Sequence, residues 1–322
     1  MQRTFMVAAI SALAATASFA QSSVTVYGRL NTSAEYQENI AVDGKQKVLQ
    51  NNASRLGFKG TEDLGGGLKA DFFLEHRFNA DTGTVTGAFY GGDAWVGLSG
   101  GFGSIRMGRL TSAAYFATAD WIGMHNHDTG TSEDKLYTYL SQNANTISYT
   151  TPNFGGVTVE ATVSAAESGA TTNKVGNLAV NYDKGALHLG FGYEQQAGTE
   201  DKQFAARALY ELGAFTFGGY YQKSDTESLG DRDLFRLAAM YAMGASEFHV
   251  NVGFADNWSK LSGSKANQYT VAYNYNLSKR TKVYAFYSTV DNGSTLSYFG
   301  ATGAGGTVLD PSSFAVGLRH NF

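Results

Sequence analysis

Apolar and polar side chains alternate residue by residue in short runs along most of the chain, and this period of two limits the possible folds. Val24 and Val26 alternate with Thr25 and Tyr27, and similar runs recur up to Phe322. Because successive side chains of a β-strand point to opposite faces, each run predicts a strand with one apolar and one polar face. We count about sixteen such runs, centred near residues 29, 54, 73, 93, 106, 148, 160, 179, 191, 207, 219, 237, 251, 272, 286 and 318.

The connections between these runs alternate in length. Residues 60–66 and 183–185 are short connections, whereas residues 110–143 and 224–230 are long ones. Transmembrane barrels have this arrangement, with short turns on one side of the membrane and longer loops on the other. A closed barrel also satisfies every backbone group within hydrocarbon and leaves no edge strand. The sequence therefore predicts an all-β protein, a 16-stranded antiparallel transmembrane β-barrel, over residues 21–322.

The residues on the polar face distinguish a soluble sandwich from a membrane barrel. A soluble sandwich and a membrane barrel both alternate, but the barrel turns its apolar side chains outward to lipid. Seven arginines fall on the polar face, at Arg29, Arg55, Arg77, Arg106, Arg207, Arg236 and Arg319. A dry core would not admit so many charges, whereas a water-filled lumen would. Aromatic residues near strand ends, such as Phe154 and Tyr275, fit the girdles at the membrane interfaces.

The first twenty residues have the features of a secretory signal peptide. Arg3 supplies a positive charge, residues 5–13 are apolar, and the small residues Ser18 and Ala20 lie just before the expected cleavage point, which follows Ala20. We therefore predict that residues 1–20 are removed and that the protein is exported.

Several classes of function are disfavoured by the composition. The chain has no cysteine, which excludes disulfides and thiolate metal sites, and its net charge of −4 gives no basic footprint for nucleic acid. His125, His127 and Asp128 have a spacing that is only weak evidence for a metal site. The glycines at 65–67 lack the context of a phosphate-binding loop, and no nucleophile elbow is present. The sequence thus predicts no enzyme, no metal and no other cofactor.

Particular stretches of the chain are familiar from one family. They read SSVTVYG at 22–28, SRLGFKGTEDLGGGLK at 54–69, WVGLSGGFG at 95–103, LSKR at 277–280 and GLRHNF at 317–322. In these stretches, and along the whole mature chain, the sequence resembles the trimeric general porins of Gram-negative outer membranes, of the betaproteobacterial type.

The resemblance implies sixteen strands, a homotrimer and a long third loop folded into each pore. It also implies that the terminal Phe322 is the signal read by the barrel-assembly machinery. The surroundings would be the lipid and lipopolysaccharide of the cell outer membrane.

Residues 110–143 form the longest connection and occupy the position of the pore-narrowing loop in the resembled family. This predicted constriction loop carries four acids: Asp120, Asp128, Glu133 and Asp134. The predicted basic wall that faces it consists of Arg29, Arg55, Lys59, Arg77 and Arg106. Acids opposite bases would set a transverse field at the narrowest point. The alternative is that some arginines pair with Asp71, Glu75 or Glu160 and only fill the wall, and that the loop acids are simply exposed.

These features predict an outer-membrane porin for passive diffusion of small hydrophilic solutes and ions, with a weak preference for anions. The alternative is a barrel that acts mainly as an adhesin or interaction protein through its outer loops. The content of the lumen separates the two functions, because bulky apolar groups pointing inward would plug a pore. The inward positions are mostly polar or small, with Tyr27, Phe73 and Tyr284 as exceptions.

Overall fold

The computed structural model describes residues 23–125, 130–140, 144–165, 174–300 and 302–322. The predicted signal peptide, residues 1–20, lies outside the described residues. The strands are β1 (Ser23–Glu38), β2 (Lys45–Asn51), β3 (Arg55–Gly65), β4 (Leu68–Arg77), β5 (Ala94–Gly100), β6 (Gly103–Arg109), β7 (Thr146–Thr150), β8 (Val157–Ser164), β9 (Val175–Lys184), β10 (Leu187–Gln196), β11 (Lys202–Leu212), β12 (Phe215–Thr226), β13 (Gly230–Met243), β14 (Ser246–Ala255), β15 (Ala266–Asn276), β16 (Thr281–Asn292) and β17 (Ser312–Asn321).

Helical structure in these ranges is confined to short pieces. The α-helix α1 spans Ala113–Ala117, and 3-10 turns span Ala119–Trp121, Gly130–Ser132 and Ala304–Gly306. In the described part of the chain, no helix has the length and apolar character needed to cross a bilayer.

The sheet closes on itself. Consecutive strands pair antiparallel, except that β2 and β3 both pair with β1, and β17 returns to pair with β1 from Arg29 opposite Asn321 onward. At this seam the amide of Gly28 donates to the carbonyl of Phe322 at 2.9 Å, and the Phe322 amide donates back at 3.0 Å. Gly28 has no Cβ, and a Cβ there would overlap the Phe322 ring. Closure removes the free edges that an open sheet would expose.

In the residues that the structure describes, seventeen strand segments make a wall of sixteen strands, because β2 and β3 share one position beside β1. Thr32 pairs with Asn51 in β2, and Arg29 pairs with Arg55 in β3, so the second strand carries one extra residue between them. Ala53, with φ of 57°, occupies this bulge. The predicted strand count and the barrel architecture are confirmed.

The two faces of the wall have the predicted orientation. Val250 is 51% exposed on the outside, whereas its neighbour Asn251, pointing inward, is 2% exposed. Aromatic rings form a belt beside the short turns, where Phe215, Tyr241 and Phe248 pack against one another on adjacent strands. This distribution fits an apolar outer surface facing lipid and a polar bore.

Two connections differ from the prediction. Residues 60–65 belong to β3, so that this turn contains only Gly66 and Gly67. The predicted long loop at 224–230 is also short, because β12 and β13 continue pairing up to Thr226 opposite Gly230. Lys223 lies 3.8 Å from Asp233 across these strands, and such polar cross-strand pairs extend a sheet beyond the apolar belt.

Candidate functional site: a charged cavity beside the long loop

The connection between β6 and β7 begins with α1, which packs directly on the inner face of β10. Two inward-facing glycines allow this approach. A Cβ at Gly190 would overlap the carbonyl oxygen of Ala117, and one at Gly192 would lie 2.6 Å from the Cα of Ala114. Any larger residue at these positions would therefore push the helix away from the wall.

Glu194 of β10 is fully buried and joins the beginning and end of the connection. Its carboxylate accepts hydrogen bonds from the Ser112 hydroxyl and, at 3.5 Å, from the Leu140 amide. Asn177 and Gln203 donate to the same carboxylate at 2.7 and 2.9 Å. Because a buried charge needs hydrogen-bond partners, this network holds both ends of the loop at the wall.

The middle of the loop is held by a buried ion pair. A carboxylate oxygen of Asp134 lies 2.9 Å from Arg236 Nη2, and the side chains of Asp134 and Arg236 are 6% and 3% exposed. Tyr220 donates its hydroxyl to the other carboxylate oxygen at 2.5 Å. Arg236 also donates to Asn251 and Gln268 at 2.6 and 2.5 Å. The loop charge is thus neutralised and fully hydrogen-bonded inside the barrel.

Two more arginines contact the loop through neutral groups in the described part of the chain. The guanidinium of Arg207 lies 4.0 Å from the centre of the Trp121 ring. Arg232 donates to the Leu136 carbonyl and to the Thr138 hydroxyl. These contacts, those of Glu194 and Asp134, and the packing of the loop's short helical pieces on β9–β11, β16 and β17 place the loop on the inner face of β9–β17, which we call the docked wall.

The opposite side of the bore carries a row of arginines. Arg29, Arg55 and Arg77 are direct cross-strand neighbours in β1, β3 and β4, and we call this inner face the open wall. Neighbouring positions in a sheet place Cβ atoms about 5 Å apart, so like charges there repel. Glu75 relieves part of this repulsion, since its carboxylate lies 3.0 Å from Arg77 Nε and 3.7 Å from Arg55 Nη1. Tyr27 donates to Glu75 at 3.2 Å.

A cavity of about 550 Å³ separates the open wall from the loop. Its lining includes four arginines, five carboxylates and four aromatic rings: Arg29, Arg55, Arg77, Arg109, Glu75, Asp93, Asp120, Glu133, Asp134, Phe73, Tyr115, Phe116 and Tyr139. The arginine row lies on one side and most of the acids come from the loop on the other. The cavity can therefore hold a small charged solute in a field directed across the bore.

Six of the predicted site residues meet in this cavity, namely Arg29, Arg55, Arg77, Asp120, Glu133 and Asp134. Lys59 and Arg106 are not part of its lining. The Lys59 ammonium lies over the Tyr27 ring at 5.5 Å, and Arg106 pairs with Glu160 at 2.5 Å. Asp128 and His127 lie outside the described residues.

The sequence analysis missed several residues of the site. Arg109 is not part of the predicted basic wall, yet it lines the cavity while donating to the carbonyls of Gly91 and Gly92 at 3.3 and 3.1 Å. Asp93 accepts from the Thr111 amide and hydroxyl at 2.8 and 2.6 Å. The alternation pattern does place Glu194 as an acid at an inward position of a strand. The sequence does not indicate which loop residues it binds.

Comparison with known proteins places the chain in a family. A model of the Gram-negative porin family matches residues 7–295. The outer membrane porin protein 32 of Delftia acidovorans is 33% identical, over 98% of both chains. The structure of the anion-selective porin from Comamonas acidovorans superposes with a TM-score of 0.79 at 28% identity, covering 94% of this chain and 100% of that one. OmpT of Vibrio cholerae, solved in a trimer form, gives a TM-score of 0.66 at 17% identity, over 94% of this chain and 99% of its own. These matches extend along nearly the whole barrel, and this protein belongs to the family of Gram-negative porins.

Proposed function

We propose that this protein is an outer-membrane channel through which small hydrophilic solutes and ions diffuse passively, with a weak preference for anions. A barrel of sixteen strands is wide enough to keep an aqueous passage. The observation that carries the proposal is the row formed by Arg29, Arg55 and Arg77, which faces the acids of the loop across the cavity. Passive diffusion needs only this hydrated path and weak interactions along it.

The sign and strength of the preference follow from the charges around the cavity. The four arginines and five carboxylates of the lining nearly balance. However, Glu133 pairs with Lys135 at 3.1 Å, and Asp134 pairs with Arg236 at 2.9 Å, so two of the acids are offset by cations behind them. The remaining balance is slightly positive, which supports weak rather than strong anion preference. The similarity to an anion-selective porin supports the same sign.

We also propose a homotrimer with lipid and lipopolysaccharide around it, inserted by the barrel-assembly machinery through recognition of Phe322. The trimer form of OmpT, an outer membrane protein of Vibrio cholerae with the same fold, supports the assembly state. Light scattering in mild detergent should give three times the mass of the mature chain. A monomeric mass would contradict this part of the proposal.

Conductance and reversal potential across a planar bilayer test the pore itself. Purified protein should give stepwise conductance in KCl, and a salt gradient should give a reversal potential of the sign expected for anions. The double change Asp120→Asn and Glu133→Gln removes acids from the loop side and should increase the anion preference. Asp256→Asn, which removes an exposed acid outside the cavity lining, is the matched control.

Two results would overturn the proposal. Folded protein that inserts without conductance would exclude a pore and favour an adhesin. A cation preference that persists after Asp120→Asn and Glu133→Gln would exclude the proposed role of the arginine row.

A further inference from the structure

The loop side of the cavity is aromatic as well as acidic. Tyr115 lies at the centre of a ring cluster, with ring centroids 5.9 Å from Phe116, 5.5 Å from Tyr137 and 5.0 Å from Tyr139. Tyr137 packs on the docked wall, where its ring centroid is 5.9 Å from that of Tyr220. The cluster therefore connects the docked wall to the loop side of the cavity.

Two rings of this cluster keep large exposed surfaces where they meet the cavity. Phe116 is 44% exposed and Tyr139 is 51% exposed, and both line the cavity, whereas Tyr137 behind them is 4% exposed. An exposed aromatic surface in a water-filled site binds a solute ring favourably, because the contact removes apolar surface of both partners from water. The loop thus presents an aromatic surface in a cavity whose opposite side carries charge.

The opposite side offers recognition of an anionic group. The open wall supplies the row of Arg29, Arg55 and Arg77, and Arg109 adds a further guanidinium. Guanidinium groups bind carboxylates through paired, charge-assisted hydrogen bonds. Of the acids nearby, Glu75 is held by the row itself and Asp134 by Arg236, so neither faces the cavity as an uncompensated charge.

We infer that the cavity prefers aromatic monocarboxylates among the solutes that pass, with the carboxylate on the arginine row and the ring against Phe116 and Tyr139. The inference rests on the proposed channel function, because it names a solute class for the same passage. The volume of about 550 Å³ falls within the range of about 300–1,000 Å³ that is usual for small-molecule sites. The two surfaces together give weak binding, which concentrates the solute and still allows it to leave.

Occupancy of the cavity by a solute should reduce the KCl current, so the current measures binding. We would add sodium benzoate, sodium cyclohexanecarboxylate or sodium acetate to reconstituted channels at a fixed KCl concentration. Benzoate should halve the current at a lower concentration than cyclohexanecarboxylate, which has the same charge and a similar size without the aromatic ring. An aromatic contact adds about 0.5–1.5 kcal/mol, which corresponds to about two- to tenfold in this concentration.

Variants locate the effect within the cavity. The double change Phe116→Ala and Tyr139→Ala should raise the half-blocking concentration of benzoate to that of cyclohexanecarboxylate. Tyr139→Phe keeps the ring and should leave the preference intact. Phe102→Ala is the matched control, because Phe102 is similarly exposed, at 43%, but lies in the β5–β6 turn outside the cavity lining.

The outcomes separate this inference from the channel function. Absence of KCl conductance would refute the channel itself. Normal conductance with equal block by benzoate and cyclohexanecarboxylate, or with a benzoate preference that survives the double alanine change, would overturn the inference and leave the channel standing.

Discussion

The docked wall and the open wall contain the same residue type in two physical states. The Arg236 side chain is 3% exposed and bound to Asp134, whereas the Arg77 side chain is 40% exposed and lines the cavity beside Glu75. Both arginines point inward from strands with the same alternation. What separates them is the loop, which covers β9–β17 and leaves β1, β3 and β4 open.

The difference shows that burial, and not position on the inner face, decides what an inward charge does in this barrel. Under the loop, the carboxylates of Glu194 and Asp134 are surrounded by hydrogen-bond partners, since an unpaired buried charge would be costly. On the open wall, Glu75 pairs with Arg55 and Arg77 while Arg77 stays exposed to the cavity, so the arginines remain close together without being covered. The docked wall therefore fixes the shape of the passage, and the open wall gives it charge.

The largest expected effect comes from breaking the buried pair on the docked wall. Arg236→Met would leave the Asp134 carboxylate without its counter-charge, which costs about 3–5 kcal/mol when a buried partner is removed. We expect the free energy needed to open the loop locally to fall by this amount. Hydrogen exchange of the amides in residues 130–140 measures it.

A double variant distinguishes charge from packing at the same site. Asp134→Asn combined with Arg236→Met removes both charges, and most of the lost protection should return. Unchanged exchange in the single variant would show that the pair does not hold the loop.

Crowding the contact between α1 and β10 should have the next largest effect. Gly192→Val would place side-chain atoms against Ala114, and overpacking of this kind costs about 1–3 kcal/mol. Displacement of the helix should change the single-channel conductance. Gly176→Val is the control, because nothing lies within 4 Å of a Cβ at Gly176 on the neighbouring strand β9. Equal effects of the two changes would argue against close docking of the helix.

A charge on the open wall should alter selectivity more than stability. Arg77→Gln removes a cation from the cavity, and a unit charge at about 4 Å in water contributes about 1 kcal/mol. The anion-to-cation permeability ratio, from reversal potentials, should fall by about fivefold. Arg106→Gln should change it less, since Arg106 lies outside the lining and is paired with Glu160. Equal changes in the two variants would remove the distinction between the row and the rest of the wall.

The smallest effect is expected from an exposed pair on the docked side of the barrel. Lys202 lies 3.3 Å from Asp225, and both side chains are more than 40% exposed. Exposed pairs contribute about 0–1 kcal/mol, so Lys202→Gln should leave the free energy of unfolding in urea almost unchanged. A large loss would show that position in the barrel matters independently of burial.

The wall was predictable from the sequence because the polarity of each strand residue indicates which face of the sheet it lies on. Val250 and Asn251 differ in polarity for the same reason that they differ in exposure, and strands such as β13 and β16 repeat this rule. The sixteen strand positions and the outward direction of the apolar side chains follow from it. The membership in the porin family followed from the motifs, such as residues 54–69.

Loop docking was not predictable, because it depends on partners distant in the chain. Arg55 and Arg236 look alike in the sequence, and only the contact between Asp134 and Arg236, about a hundred residues apart, separates them. The alternative pairing of arginines with Glu75 and Glu160 does occur, for Arg55, Arg77 and Arg106. The sequence analysis treated lining of the constriction and pairing with acids as alternatives. Arg55 and Arg77 do both, because they pair with Glu75 and also line the cavity.

The seam between β1 and β17 has a consequence for how the molecule forms. Almost all other pairings join strands that are close in the chain. These strands are able to pair one after another as hairpins. The last ladder joins Arg29 to Asn321, so the loop it closes contains nearly the whole protein. Long-range closure of this kind is slow and comes late. Until this ladder forms, β1 and β17 are edge strands with unpaired backbone groups, and the aqueous passage is not enclosed.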